Sequence, residues 1–257
     1  MVDAKIIAYL FAITGIALLA TYAAWGFLEE EFGWAETSKN TVLVLGAGAT
    51  FLGIYTAAMS TERYVKAETI VSSCAAGLEN LDRILTELQI EGSGIYLPKS
   101  HVGKPRVFIP ASTKDTALPD LRGDPTFLTG TAGPAGLLIT PPGHGLCTLL
   151  EDELEVELDE LEPGGFATLV PPLLSQGLGL AESVEIDEER LTFSISSPFC
   201  SELCSLGMRS CRQIGCPLCS CISEGLSRSL ATPLRLESLT YDAAADVVKA
   251  TLSRLGE

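Results

Sequence analysis

Two long uncharged apolar runs, residues 6–28 and 41–60, open the chain, and no third run like them follows. A helix needs about 20 apolar residues at 1.5 Å rise to cross a bilayer. With only a short polar stretch between them, the runs read as a transmembrane hairpin over residues 1–62. Ala49 with Gly53 gives the small-xxx-small spacing expected where two such helices touch, and Ala17, Thr21 and Ala24 are the expected facing residues. The stretch from Val42 through Gly46, Gly48 and Gly53 imitates a strand and a dinucleotide-binding glycine loop. The apolar run continues unbroken to Met59, however, and a charged helix follows where a second strand is required. Lys5, Arg63 and Lys66 flank the hairpin, whereas the connecting stretch holds Glu29, Glu30, Glu31 and Glu36 against Lys39. Basic residues stay on the cytoplasmic side, so the expectation is an integral membrane protein with two spans, the bilayer as partner and both termini cytoplasmic. Trp25, Phe27 and Trp34 fit an aromatic belt at the outer face. Residues 6–28 exceed the usual signal-peptide core, and Ala20 to Ala23 make a poor cleavage site.

The pattern then changes. Residues 61–90 predict one helix, assigned over 63–92 as a juxtamembrane segment, with Val71, Cys74, Leu78, Leu81, Leu85 and Leu88 at three- and four-residue steps. This stripe either packs on the chain's own domain or forms a self-association seam; Cys74 and Gly77 favour packing. Residues 93–257 read as a cytosolic α+β domain. Short strands are predicted at 94–97, 106–109 and 136–139, each ended near a proline. Residues 111–134, rich in Thr, Pro, Gly and Asp, predict a long loop. An acidic amphipathic helix is predicted at 146–161, a short helix opening on Pro171-Pro172 at 173–180, strands at 183–186 and 191–196, a helix at 218–230, and a closing hairpin at 234–241 and 247–255. The expected architecture is antiparallel strands with helices packed on one face.

Composition narrows the function. The net charge of -16 argues against nucleic acid, whose backbone needs a basic surface. The carboxylates of 151–160 read as a solvated helix face, since nothing apolar around them would shift a pKa. The Gly-x-Ser-x-Gly nucleophile elbow, a phosphate-binding glycine loop with Lys and paired histidines are missing from the sequence, and His144, between two glycines, reads as a polar turn residue.

The chemical clue is the Cys-rich segment 200–221, with Cys200, Cys204, Cys211, Cys216, Cys219 and Cys221. Cytosolic thiols stay reduced, so clustering points to metal or redox chemistry. Cys216-Pro217-Leu218-Cys219 follows Gly215 and opens a helix, where the dipole favours a thiolate. Three readings stay open. Cys200, Cys204, Cys211, Cys216 and Cys219 supply candidate ligands to zinc or an iron–sulfur cluster. Cys216 and Cys219 alone suit thiol–disulfide exchange, since Cys-Pro-x-Cys resembles the glutaredoxin motif over those four residues. Otherwise the cysteines are small apolar packing residues. Cys221 and Cys74 read as core in every version.

The layout resembles a group of uncharacterised archaeal membrane proteins. The resemblance rests on the N-terminal hairpin, Ile95-Tyr-Leu-Pro98, Val107-Phe-Ile-Pro110, Pro141-Pro-Gly143 and Gly215-Cys-Pro-Leu-Cys-Ser220. It implies no known activity. Residues 215–255 are also similar to the end of the 4-vinyl-reductase-type small-molecule-binding domain, whose usual further cysteine motif is replaced here by Asp242 to Asp246. The leading expectation is a non-enzymatic binding or scaffold protein that holds a metal, a small ligand or a protein partner, with self-association into a homo-oligomer. The alternative is a tethered thiol–disulfide redox protein using Cys216 and Cys219.

Overall fold

The computed structural model describes residues 4–24, 36–59, 67–113, 118, 125–129 and 133–255. They fall into two compact units, Met1–Val65 and Lys66–Glu257.

In the first unit both apolar runs are helical, α1 (Ala4–Ala23) and α2 (Glu36–Met59). They pack antiparallel; of the small residues the spacing singled out, Gly53 is buried, Ala49 and Thr21 are half-buried, and Ala17 and Ala24 are exposed. The close approach is at Gly15, where a Cβ would lie 2.3 Å from Thr50 Oγ1 and 2.5 Å from Thr50 N. Gly46 in turn packs beneath Leu18 and Leu19, where a Cβ would lie 3.1 Å from Leu18 Cβ and from Leu19 Cγ. Glycine lets the backbones meet here because it adds no side chain to the contact. The outer faces stay apolar, with Ile13, Ile16, Val44 and Phe51 each more than half exposed.

The expected two-span membrane protein is nevertheless corrected. Among the described residues no helix is long and apolar enough to cross a membrane. Crossing takes about 20 consecutive apolar residues. The 20 residues of α1 include Lys5, and the 24 of α2 begin with Glu36-Thr-Ser-Lys39-Asn40. The transmembrane hairpin, the integral-membrane localisation and the placing of both termini in the cytoplasm rested on those spans and fall with them. Trp25, Phe27, Trp34, Arg63 and Lys66 lie outside the described residues.

The second unit is α+β, built on an antiparallel sheet. Its helices are α3 (Ala67–Glu87), α4 (Lys99–Val102), α5 (His144–Leu154), α6 (Gly165–Pro172), α7 (Ser201–Ser205), α8 (Arg209–Ile214) and α9 (Pro217–Ser229). Its strands are β1 (Ile95–Leu97), β2 (Arg106–Pro110), β3 (Phe127–Leu128), β4 (Gly136–Ile139), β5 (Ser183–Asp187), β6 (Thr192–Ser196), β7 (Leu234–Asp242) and β8 (Val247–Arg254). The order across the sheet is β3-β4-β2-β1-β7-β8-β6-β5. Two meanders therefore join at its centre, where Ile95 and Tyr96 of β1 pair with Arg235 and Leu234 of β7.

α9 is the helix on which the unit closes. Every residue from Pro217 to Arg228 is buried. Ile222 and Leu226 enter the main core with Phe166, Val170 and Leu174, and Gly225 admits the Phe166 ring, which a Cβ would meet at 2.2 Å. α3 packs its own stripe inward, with Leu78 and Leu85 buried and Asp82 Oδ1 accepting from the Ser210 amide at 2.7 Å. Leu88 lies past the end of the helix and is half exposed.

Several boundaries moved for local reasons. The predicted helix 146–161 stops at Leu154, because Glu155 turns into the left-handed region at φ 54°. Pro171 and Pro172 end a helix rather than begin one. Gly164, at φ 82°, starts α6 early enough for Phe166 and Val170 to reach the core, and a π-helical turn (Leu173–Gly177) follows. The cysteine segment carries α7 and α8, which are too short to show a hydrophobic period. β3 lies inside the expected long loop.

Candidate metal centre

The site forms where the chain runs from β6 into α9. Cys200 is the N-cap of α7, and Cys204 stands one turn further on the same face. After α8 the chain reverses at Gly215, whose φ of 76° is in the left-handed region. A Cβ there would also press on Cys219 Cβ at 2.9 Å, so glycine is required twice over. Cys216 is then the N-cap of α9, with Pro217 pre-shaping the first turn and Cys219 one turn on.

This route brings four sulfurs together. Cys200 Sγ and Cys216 Sγ are 3.2 Å apart, and Cys216 Sγ and Cys219 Sγ 3.5 Å. The sulfurs of Cys200, Cys204 and Cys216 all lie within 4.8 Å of one another. Tetrahedral zinc with Zn–S bonds of ~2.3 Å has sulfur–sulfur edges of ~3.8 Å, so the sulfurs of Cys200, Cys204 and Cys216 stand near coordination spacing, and Cys219 would complete a sphere only by turning its side chain from Cys216 toward the other two. Cys200, Cys216 and Cys219 are buried, while Cys204 is half-buried.

Electrostatics single out one thiol. Sulfur contacts with Cys200, then Cys204 and Cys219, hold Cys216 well below the ordinary thiol range against the opposing effect of burial. Their own values rise: Cys219 through its contact with Cys216 and then burial, Cys200 through Cys204, then Cys216 and burial, and Cys204, against the opposing contact with Cys200, through Cys216 and burial. A bound divalent cation would favour the thiolate form of every ligand.

Cys211 belongs to the same neighbourhood but not to the quartet. It stands on α8, where burial pushes its thiol up to about 12. Cys221 and Cys147 form a separate pair, with sulfurs 3.5 Å apart in the core. Beside the quartet a cleft of about 470 Å³ opens between the α7–α8 connection and the β7–β8 hairpin. Cys204, Cys211, Cys216, Met208, Arg212 and Tyr241 are among its lining residues.

A second polar cluster was not foreseen. His144 Nδ1 lies 2.8 Å from Glu224 Oε1, and Glu224 is buried. One turn along α9, fully buried Arg228 pairs with Glu151 and with Asp159, its Nε lying 2.9 Å from Asp159 Oδ2. Lys99 reaches Glu157 at 2.8 Å and Asp159 at 3.2 Å. Glu151, Glu157 and Asp159 are close enough to suggest a cation site, yet Arg228 and Lys99 already supply the positive charge. The acidic face expected to be solvated thus donates two carboxylates to a buried arginine. The available signal was Arg228 itself, a charged residue within the buried helix that follows Cys216.

The sequence profile described as "Domain of unknown function (DUF7982)" matches residues 8–251, and the chain belongs to that family. No curated protein and no solved structure matches it.

Proposed function

We propose that this member of the DUF7982 family is a metal-binding protein of non-catalytic type, in which Cys200, Cys204, Cys216 and Cys219 hold one Zn²⁺ ion. The observation that carries the reading is the clustering of three sulfurs from two separate segments, those of Cys200, Cys204 and Cys216, with the Cys219 sulfur 3.5 Å from that of Cys216. Four thiolates complete the coordination of zinc and leave no open position for a substrate, as in structural sites. Soft thiolates favour zinc over hard cations such as magnesium or calcium. The ion would tie α7 to the start of α9 and so fix the segment between them.

The test is metal analysis of anaerobically purified protein with serine variants. One zinc per chain is expected. Cys216→Ser and Cys219→Ser should release it and lower the melting temperature, because binding energy at such a site is folding energy. Cys221→Ser should retain it. Metal-free protein with four ordinary thiols would sink the reading.

Thiol–disulfide exchange by Cys216 and Cys219 is the second reading. Their 3.5 Å separation at a helix start and the depressed Cys216 thiol favour it. Both side chains are only 1% exposed, which weighs against attack on a protein substrate. A metal-free protein with one unusually acidic thiol would reverse the preference.

A further inference from the structure

The proposed zinc site is not equally sheltered on all sides. Of its four sulfur-bearing residues, only Cys204 and Cys216 line the cleft, and Cys204 is the one that is not fully buried. The cleft, at about 470 Å³, is far larger than a peroxide molecule. Cys204 itself lines the cleft and is only half-buried, with Ser205, Gly207 and Met208 among its neighbours there, which leaves it the ligand residue most open to a small oxidant. Cys216 lies behind it, with its sulfur within 4.8 Å of that of Cys204.

We propose that the cleft makes the site a peroxide-responsive one, in which Cys204 is oxidised first and a Cys204–Cys216 disulfide expels the metal. The inference rests on the zinc reading above. The Cys204 thiolate attacks one oxygen of hydrogen peroxide, the O–O bond breaks, and a sulfenic acid and hydroxide result. The Cys216 thiolate then attacks the Cys204 sulfur, the S–S bond forms, and the sulfenic oxygen leaves as a second hydroxide. Two protons convert the hydroxides to water. Two thiolates are oxidised by two electrons in all, and one peroxide is reduced. Zinc keeps its charge throughout; it loses two of four ligands and leaves as Zn²⁺. A thiol reductant reverses the disulfide and restores the site.

The experiment treats zinc-loaded full-length protein with hydrogen peroxide and follows three readouts: zinc captured by a chromogenic chelator, free thiols, and the disulfide located by peptide mass spectrometry. Two thiols should disappear per zinc released, the linkage should join Cys204 to Cys216, and dithiothreitol with added zinc should restore the starting state. Cys204→Ser can lose zinc by itself, so Cys204→His, which keeps a zinc ligand but no oxidisable sulfur, is the decisive variant. Its peroxide-driven release should be at least ~10-fold slower. Release at the parental rate from Cys204→His, or a disulfide joining Cys200 to Cys216 instead, overturns the proposal. Protein that carries no zinc before treatment overturns the proposed function, and the disulfide readout then still decides whether Cys204 and Cys216 are the reactive pair.

Discussion

Gly143 and Cys221 are in backbone contact: a Cβ on Gly143 would lie 2.1 Å from the Cys221 amide nitrogen and 2.4 Å from the Pro217 carbonyl oxygen. The Pro-Pro-Gly turn before α5 is therefore seated directly against the first turns of α9. Gly143→Ala must displace main chain rather than a side-chain tip, and overpacking of this kind costs about 1–3 kcal/mol or more. Gly145, two residues on, has nothing within 4 Å of its Cβ position, and Gly145→Ala should be neutral or stabilising by up to ~1 kcal/mol through helix propensity. Denaturant unfolding of the two variants checks the contrast, and equal effects would mean that the turn does not hold α9 in place.

Gly215→Ala should weaken the zinc site without touching a ligand. The backbone must stay at φ 76° and the new Cβ would press on Cys219. Strain of about 1–3 kcal/mol is expected, and part of it should appear as weaker zinc binding in competition with a chelator. Unchanged affinity with reduced stability would show that the strain is relieved away from the sulfurs.

Arg228→Met removes the positive charge that Glu151 and Asp159 share in the interior. Deleting one partner of a buried ionic cluster costs about 3–5 kcal/mol, because the other charges are left unpaired. Thermal unfolding near neutral pH measures it. Combining Arg228→Met with Asp159→Asn and Glu151→Gln should recover part of the loss, and no recovery would assign the effect to packing alone.

Two carboxylates should give opposite pH limbs. Burial works to raise the Asp159 value, but Arg228 and then Lys99 outweigh it and hold the carboxyl below its ordinary 3.8. Its contribution is present above that value and lost as pH falls through the lowered one. Burial raises Glu224 above its ordinary 4.5, with His144 and Arg228 opposing. The folded state then binds the proton more tightly than the unfolded state, so this group's contribution is present below 4.5 and lost as pH rises through the elevated value. Relative to the parent, Glu224→Gln should gain stability as pH climbs through that window, and Asp159→Asn should lose less than the parent at the acid end. Urea unfolding at stepped pH reads both slopes, and parallel curves for parent and variants would refute the assignment.

What the sequence disclosed followed the length of each signal. β4 was legible to the residue, and β2, β6, β7 and β8 within one or two, since apolar alternation or a terminal proline marks each. α7 and α8 were not, because five or six residues hold too little of a 3.6-residue period to be seen. In the hairpin, Gly53 is buried as its spacing suggested, but Ala17 and Ala24 are exposed and the contacts at Gly15 and Gly46 were not singled out, since small residues are plentiful in both helices and only the rotation of each helix selects among them. Among the five candidate ligands, spacing alone could not set Cys211 apart. That takes the turn at Gly215, which delivers Cys216 rather than Cys211 to the sulfurs of Cys200 and Cys204. The buried arginine and its acids escaped because they come together only once α9 is roofed by the segment around Leu158.

The pairing of β1 with β7 has a consequence for how the protein is made. Tyr96 donates to the Ile214 carbonyl, 118 residues away, and its own carbonyl accepts from Ser227 Oγ, 131 residues away. The strands between β1 and β4 thus leave the ribosome long before the helix and strand that complete them. Until then β1 offers an open edge of Ile95, Tyr96 and Leu97, all buried in the finished unit, and such an edge invites association with another nascent chain. Closing loops of that length is slow compared with forming a local hairpin. Synthesis is therefore the stage of this protein's life most exposed to aggregation, and arrival of the β7–β8 hairpin is the event that ends it.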